Sequence, residues 1–380
     1  MQIDGDWMRH RGTQLLCAAL ERAGHKALFV GGCVRNALLD EPVSDTDIAT
    51  DAKPQVVTDL AEAAGFRVIP TGFDHGTVTV IACGKSHEVT TFRRDVDTDG
   101  RHARVVFSKK IEEDAARRDF TMNALYADRH GVVTDPLGGL PDLQDRILRF
   151  VGDPGERIRE DYLRILRFFR FHAWYGDPAQ GLDAHGFAAC AALADGIDTL
   201  SAERIGAEMR KLLAAPDPAP AVASMAQAGI LNRVLPGADT TAFAPLVHLE
   251  AGETPSWLCR LAVLGGEDPT NRWRLSRAES VSLAHIRSEI GSTLTPAALA
   301  WKIGPHLAQD IVLARAALLN PVLPAGWQID IARGTSAKPP VTAADLMPRL
   351  EGPALGQALK AAEARWLASD LRLTQADLLS

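Results

Sequence analysis

Residues 29–50 read FVGGCVRNALLDEPVSDTDIAT, in which an apolar run enters a glycine pair and two aspartates follow one residue apart. If residues 47–50 form a strand entered through Asp45, side chains at i and i+2 share a face, so Asp45 and Asp47 can reach the same cations. Carboxylate oxygen suits magnesium, and two ions about 3.5 to 4 Å apart can activate an attacking hydroxyl and stabilise a pyrophosphate leaving group. Because turns also use Asp-x-Asp to cap backbone amides, the pair alone leaves both interpretations open.

The glycine pair predicts a tight turn from a strand into a helix that carries Arg35 on its first turn. Glycine lets phosphates approach the backbone, amides at a helix N-terminus donate to an anion, and Arg35 adds positive charge. The pattern can therefore hold a triphosphate, although a turn that needs glycine only for its backbone conformation would have the same sequence pattern. Residues 117–125, RRDFTMNAL, add Arg118, which could clamp a phosphate bidentately or belong to the start of a surface helix.

Composition excludes several classes of protein. The chain has 380 residues, 46% of them hydrophobic, which predicts a globular protein of about two to four domains. A formal net charge of −7 weighs against a protein that coats nucleic acid nonspecifically. The five cysteines are scattered, which argues against a zinc knuckle or a disulfide framework. Residues 1–6 are acidic and no apolar run has membrane-spanning length, so we expect a cytoplasmic protein that is neither exported nor inserted in a membrane.

The pattern of strand and helix signals predicts an α+β fold. Short β-forming runs at 27–30, 67–70, 77–82 and 87–92 alternate with helical patterns, and from residue 158 onward the strand signals fade. The expected architecture is a mixed β-sheet head near 1–145, a helical neck near 146–215, and a helical body and tail over 216–380. The body and tail should bind the substrate.

Residues 160–170 read EDYLRILRFFR and predict a helix with one polar half. At 100° per residue, Asp161, Arg164, Arg167 and Arg170 lie over that half. A neighbouring carboxylate and guanidinium complement an amino donor beside a ring acceptor, which cytosine and adenine present and uracil and guanine reverse. The pair Asp161 and Arg164 would therefore accept CTP and ATP, since each unpaired buried group costs about 1 to 3 kcal/mol. An ordinary i,i+3 surface salt bridge is the alternative, and without the other motifs it is the default interpretation of this pair.

Together these motifs resemble those of class II tRNA nucleotidyltransferases, the CCA-adding enzymes, in the family that they share with bacterial poly(A) polymerases. Six motifs stand in the order and spacing of that family. They are residues 31–35, Asp45 with Asp47, 88–93, 117–125, 135–143 and 160–164. A weaker match, residues 273–279, resembles a motif of the helical body.

The resemblance implies a polymerase β-like head and a set of site residues. Asp45 and Asp47 are expected to bind Mg²⁺ and to be catalytic, and Asp161 and Arg164 to form a protein template for the base. The other residues expected at the nucleotide are Gly32, Arg35, Arg118, Arg167 and Arg170. Glu88 is a candidate third metal ligand, with a purely structural glutamate as the equal alternative. Residues 93–110 match the family's flexible loop, and Asn36 stands where the family often has aspartate.

The implied reaction is template-independent addition of C, C and A to the 3′ end of tRNA from CTP and ATP, with release of pyrophosphate and two metal ions. The expected partners are the tRNA 3′ end, CTP and ATP, with no membrane and no stable protein partner. The tRNA is the substrate that the body and tail over 216–380 are expected to bind, whereas the neck over 146–215 carries the nucleotide template. A bacterial poly(A) polymerase is the main alternative, but it usually carries a basic C-terminal extension, and the tail here is not basic. An enzyme that adds only C or only A stays open. The intact Asp45, Asp47, Asp161 and Arg164 argue against an RNA-binding protein without activity.

Overall fold

The computed structural model describes residues 1–99, 102–319, 322–347 and 349–380, without the side chains of residues 95–104. The chain forms two compact units, residues 1–200 and 201–380. The division into a head, a neck, and a body with tail stays a prediction. No helix in the described ranges is both long and apolar enough to cross a membrane.

The first unit contains a mixed sheet of seven strands, in the order β3-β4-β5-β2-β1-β8-β9, and a separate hairpin β6-β7. The strands are β1 Leu28–Val30, β2 Asp47–Thr50, β3 Arg67–Gly72, β4 Thr77–Ala82, β5 Lys85–Thr91, β6 Arg93–Asp99, β7 His102–Phe107, β8 Tyr126–Ala127 and β9 Val133–Thr134. The hairpin belongs to the predicted flexible loop, of which residues 100 and 101 lie outside the described residues. The predicted mixed sheet is confirmed.

A row of apolar side chains and a neighbouring row of polar ones cross the central strands. Ile48, Val89 and Val78 face one another in register across β2, β5 and β4, and all three are buried. One residue along, Asp47, Glu88 and Thr79 form the next row and are partly or fully exposed. Because side chains alternate between faces, this polar row lies on the face opposite the apolar row.

Nine α-helices accompany the sheet among the described residues of the first unit. They are α1 Asp6–Arg9, α2 Arg11–Arg22, α3 Gly32–Leu38, α4 Pro54–Ala63, α5 Ile111–Ala116, α6 Leu140–Gln144, α7 Pro154–Glu160, α8 Leu163–Tyr175 and α9 Ala184–Ala192. Helices α2 and α4 pack against each other and against β4 and β5. A Cβ on Gly12 of α2 would lie 2.1 Å from the carbonyl oxygen of Ala82, so this close helix-to-sheet packing requires glycine.

The predicted continuous helix through residue 161 is interrupted. Helix α7 ends at Glu160, Asp161 is extended with φ −157° and ψ 106°, and α8 begins at Leu163. Asp161 therefore does not belong to the helical face that carries Arg164. The apolar half of α8 behaves as expected, since Ile165, Leu166 and Phe169 are buried.

In the second unit the described elements are helices. They are α10 Ala202–Leu213, α11 Ala219–Gln227, α12 Ile230–Val234, α13 Phe243–Leu249, α14 Trp257–Leu264, α15 Pro269–Arg272, α16 Arg277–Ile290, α17 Pro296–Ile303, α18 Pro305–Leu318, α19 Trp327–Ser336, α20 Ala343–Leu346, α21 Gly352–Ala368 and α22 Gln375–Leu379. Trp273, in the weaker sequence motif, is fully buried and donates through Nε1 to the carbonyl of Val234. The expected helical second half is confirmed.

Candidate active site

The two aspartates lie at the start of strand β2. Asp47 is its first residue and is partly buried, whereas Asp45 precedes the strand and is exposed. The predicted strand over residues 47–50 is confirmed. Strand β5 runs parallel to β2 and sets Glu88 directly opposite Asp47 in register. The sheet thus brings the candidate third carboxylate next to Asp47, while Asp45 approaches from the connecting loop.

Negative charge is concentrated around Asp47. Its partial burial, the charge of Glu88 and the charge of Asp45 raise the pKa of Asp47 to about 6, although the positive charge of Arg118 acts in the opposite direction. Carboxylates that raise one another's pKa share a site in which a cation would favour the ionised forms. The oxygen donors therefore have the chemistry that a hard divalent cation requires.

Within the described ranges, no group of three or more His, Cys, Asp or Glu side chains is close enough together to hold a metal ion. Glu88 lies directly opposite Asp47 on the neighbouring strand, but Asp45, Asp47 and Glu88 do not form a group of three metal ligands. Asp45 and Asp47 stay the predicted ligands of a divalent cation, and the role of Glu88 also stays a prediction.

The glycine pair connects β1 to α3, as predicted, and faces two arginines. Gly31 has φ +71°, which favours glycine, and a Cβ there would lie 3.5 Å from Nη1 of Arg118. A Cβ on Gly32 would lie 3.7 Å from Nη2 of Arg35. The turn therefore leaves the backbone open beside two guanidinium groups, which is the arrangement that an approaching phosphate needs.

Arg35 is buried among neutral partners. Only 6% of the residue is exposed, and its guanidinium donates to Oδ1 of Asn36, Oδ1 of Asn123 and the hydroxyl of Tyr175. No carboxylate of the described chain forms an ion pair with it. Burial lowers the pKa of Arg35, which is the response of a cation short of negative charge. Asn36 supplies the acceptor at the position where aspartate is frequent, and it adds no charge.

Arg118 is held by a buried network that the sequence did not reveal. Its Nη2 lies 3.0 Å from Oδ2 of Asp114 and its Nε donates to the hydroxyl of Tyr126, which in turn donates to Asp114. Asp114 is 1% exposed. Burial alone would raise the pKa of Asp114, but the charges of Arg118 and Arg117 and the Tyr126 hydrogen bond outweigh it and lower that pKa. Arg117 and Arg118 thus both pair with a buried carboxylate.

The two proposed template residues have different surroundings. Oδ1 of Asp161 accepts from the amide of Leu163. Arg164 donates through Nη1 to Glu160 and to the carbonyl of Arg157, and through Nη2 to the carbonyl of Arg117. Its Nε has no hydrogen-bond partner in the part of the chain that the structure describes, so donor capacity remains for a ligand.

Arg167 and Arg170 lie further along α8. Arg167 forms an ion pair with Asp119, and Arg170 lies over the ring of Phe171 at 4.2 Å. Burial would raise the pKa of Asp119, but the charge of Arg167 and hydrogen bonds from Asn123, Arg167 and the Phe120 amide lower it to about 2. Sequence reasoning did not single out Asp119 or Asn123, although both stand within the quoted motif of residues 117–125.

A mixed sheet that sets carboxylates beside an open glycine turn and two arginines defines a nucleotidyltransferase head. In agreement, residues 27–149 match the family described as the poly A polymerase head domain, and residues 182–241 match a probable RNA and SrmB-binding site of polymerase A. The CCA-adding enzyme of Anoxybacillus flavithermus is 35% identical over 318 residues, covering 82% of this chain and 71% of that protein. The CCA-adding enzyme of Geobacillus thermodenitrificans is 37% identical over 311 residues, with 81% and 70% covered. The chain belongs to the CCA-adding enzyme family and is a nucleotidyltransferase.

Solved structures agree with this assignment. The CCA-adding enzyme of Bacillus stearothermophilus in complex with CTP superposes with a TM-score of 0.75 at 30% identity, covering 94% of this chain and 92% of that one. The CCA-adding enzyme of Thermotoga maritima, complexed with tRNA, shares the fold with a TM-score of 0.69 at 17% identity. Nucleotidyltransferases of this family generally use a divalent metal.

Proposed function

We propose that this protein adds C, C and A to the 3′ end of tRNA, using CTP and ATP and releasing pyrophosphate. The observation that carries the proposal is the placement of Asp47, in register with Glu88, beside an open glycine turn that Arg35 and Arg118 flank. The names of the relatives supply the substrate class, since they are CCA-adding enzymes. The alignment with them spans most of the chain.

The triphosphate would bind at the glycine pair. Arg35 offers a buried positive charge whose hydrogen-bond partners are all neutral, so an anion could bind beside it without first displacing a carboxylate from an ion pair. Arg118 keeps its Nη1 towards Gly31 while Asp114 and Tyr126 fix its other nitrogens. Both arginines would therefore bind phosphate oxygens in an orientation that the protein has already set.

Asp45 and Asp47 would hold magnesium, with Glu88 as a candidate further ligand. When bound, magnesium lowers the pKa of an attacking hydroxyl and stabilises the negative charge on the leaving pyrophosphate. The chain's own residues orient the reactants, because Asp47 is fixed by β2 and Arg118 by its ion pair with Asp114. The RNA 3′-hydroxyl would attack the α-phosphorus of the bound nucleotide, and the bond to pyrophosphate would break.

Asp161 and Arg164 would select the base. The carboxylate of Asp161 would accept from the exocyclic amino group of cytosine or adenine, and the guanidinium of Arg164 would donate to the neighbouring ring nitrogen. Nε of Arg164 can make this contact while Nη1 keeps its bonds to Glu160 and Arg157. The same pair would oppose uracil and guanine, whose donors and acceptors are reversed. Arg167 and Arg170 would stand around the nucleotide.

The helical neck over 146–215 would carry the nucleotide template, and the body and tail over 216–380 would bind the tRNA. The match of residues 182–241, which span the end of the neck and the start of the body, to an RNA-binding description supports RNA binding by this part of the chain. A poly(A) polymerase is the second candidate, because the head also matches the poly A polymerase description.

The test is incubation of the full chain with tRNA that lacks its 3′ end, CTP, ATP and magnesium, followed by single-nucleotide electrophoresis. Addition of three nucleotides supports CCA addition, and an unbounded ladder of A indicates poly(A) synthesis. No addition under any of these conditions contradicts the proposal.

A further inference from the structure

Two aromatic rings on helix α8 stand where the arginines of the site meet. Phe171 and Tyr175 are one helical turn apart, and their ring centroids are separated by 5.6 Å. Phe171 is 5% exposed and Tyr175 is half-buried. We call these two rings the aromatic platform.

Three guanidinium groups lie over the aromatic platform. The Cζ atom of Arg35 is 3.9 Å from the Tyr175 ring centroid and 5.1 Å from that of Phe171. The Cζ atoms of Arg167 and Arg170 lie 5.1 Å and 4.2 Å from the Phe171 centroid. Arg35 comes from the glycine-pair motif and the other two come from α8, so the platform joins the two parts of the site.

Like charges in such proximity repel one another, and the protein must offset that repulsion. The carboxylate of Asp119 does so for Arg167, but a carboxylate also cancels part of the charge available to a ligand. An aromatic face attracts cations through its quadrupole and leaves their net charge intact. Arg35 in particular has only neutral hydrogen-bond partners, so the rings hold its positive charge in place without neutralising it.

We propose that Phe171, together with Tyr175, is a positioning residue that gathers Arg35, Arg167 and Arg170 into a binding site for the polyphosphate of the incoming nucleotide. The proposal rests on the proposed function, because it concerns the same nucleotide. It assigns the platform to the phosphates and not to the base. The loss of the platform should therefore weaken the binding of CTP and of ATP by the same factor.

Inorganic tripolyphosphate separates this role from base recognition and from folding. Binding of tripolyphosphate to the full-length protein is measured by calorimetry for the wild type and for Phe171→Leu, which keeps an apolar side chain and removes the aromatic face. We expect roughly tenfold weaker binding, the factor that about one lost cation–π contact with a desolvated arginine produces. Binding of cytidine, which lacks phosphate, should not change.

Phe169→Leu is the matched control. Phe169 lies on the same helix and is fully buried, but its aromatic neighbours are Phe168 and Phe187, and no arginine of the described residues lies over its ring. Phe169→Leu should lower the melting temperature of the protein without weakening the binding of tripolyphosphate. If Phe171→Leu does not fold, Tyr175→Leu tests the same idea, because Tyr175 is less buried. Tyr175→Phe keeps the ring and should therefore retain more affinity for tripolyphosphate than Tyr175→Leu.

Each outcome decides the matter. Tripolyphosphate binding by Phe171→Leu and Tyr175→Leu equal to the wild type overturns the platform, even if the wild type adds nucleotides to tRNA. An equal loss in Phe169→Leu also overturns it, because the effect would then be general loosening of the helix. A wild type that binds no CTP, ATP or tripolyphosphate and extends no tRNA overturns the proposed function as well.

Discussion

Nη2 of Arg118 lies 3.0 Å from Oδ2 of Asp114, in an ion pair whose carboxylate is 1% exposed. The pair is anchored by the hydroxyl of Tyr126, which donates to the same carboxylate oxygen. A guanidinium fixed in this way keeps one orientation towards Gly31, and that orientation costs no side-chain entropy when a phosphate binds. We therefore expect the activity of the site to depend on Asp114, a carboxylate that is not expected to touch the substrate.

Asp114→Asn should reduce both stability and nucleotide affinity. It leaves the buried Arg118 without its charge partner, and we expect the free energy of unfolding to fall by about 2 to 4 kcal/mol. The KM for CTP and for ATP should rise together, because the base is not involved. Urea unfolding and steady-state kinetics measure the two effects. Glu112→Gln, an exposed change on the same helix, should alter neither, and an Asp114→Asn protein with wild-type stability would contradict the network.

Stability should fall in acid because of Asp119. Its pKa is about 2 in the folded protein against an ordinary value of 3.8, so its contribution is complete above about pH 5 and is lost as the pH falls through 2. The contribution is about 2 kcal/mol. Urea unfolding between pH 5 and pH 2 should show that Asp119→Asn is less stable at pH 5 and has a shallower dependence on pH. If the free energy of unfolding depended on pH with the same slope in the wild type and in Asp119→Asn, the lowered pKa of Asp119 would be contradicted.

Asp47→Asn should abolish nucleotide addition while leaving tRNA bound. The amide cannot replace an ionised carboxylate as a ligand for a hard cation, so we expect a loss of more than about a thousandfold in kcat. Binding of Mn²⁺, followed by electron paramagnetic resonance, should weaken in parallel, and Asp45→Asn should behave alike. Gel-shift assays report tRNA binding. Wild-type turnover in either variant would remove these residues from the reaction.

Asp161→Ala should relax base selection. Without the carboxylate, the acceptor for the exocyclic amino group is lost, and incorporation of UTP and GTP relative to CTP and ATP should rise by roughly tenfold or more. Asp153→Ala is the control, because Asp153 caps α7 and its loss should cost about 1 kcal/mol of stability without changing selectivity. Unchanged discrimination in Asp161→Ala would refute the template.

The sequence predicts the parts of the site that depend on local pattern. The strand over residues 47–50 and the buried half of α8 follow from period-2 and period-3.6 spacing, the turn follows from the glycine pair itself, and the structure contains all three. The extended conformation of Asp161 was missed, because its polar and apolar neighbours fit a continuous helix and the interruption has no proline or glycine to mark it.

Contacts between distant segments could not be read from spacing. Asp114 and Arg118 stand at i and i+4, which is a local signal, but the Tyr126 hydroxyl and the burial of the whole network depend on the tertiary fold. The contact of Arg35 with Tyr175 joins residues 140 positions apart. No periodicity connects them, so the sequence identified Arg35 without identifying the partners that hold it.

We propose that this one protein adds the defined three-nucleotide sequence CCA to the 3′ end of tRNA. The most direct test of this proposal is to supply tRNA lacking that end with CTP alone, ATP alone, or both, in the presence of magnesium, and to sequence the products. We predict two added C residues with CTP alone, none with ATP alone, and the sequence CCA with no further growth when both are present. An open-ended run of A from ATP alone, or products that never pass the second C when both nucleotides are present, would contradict it.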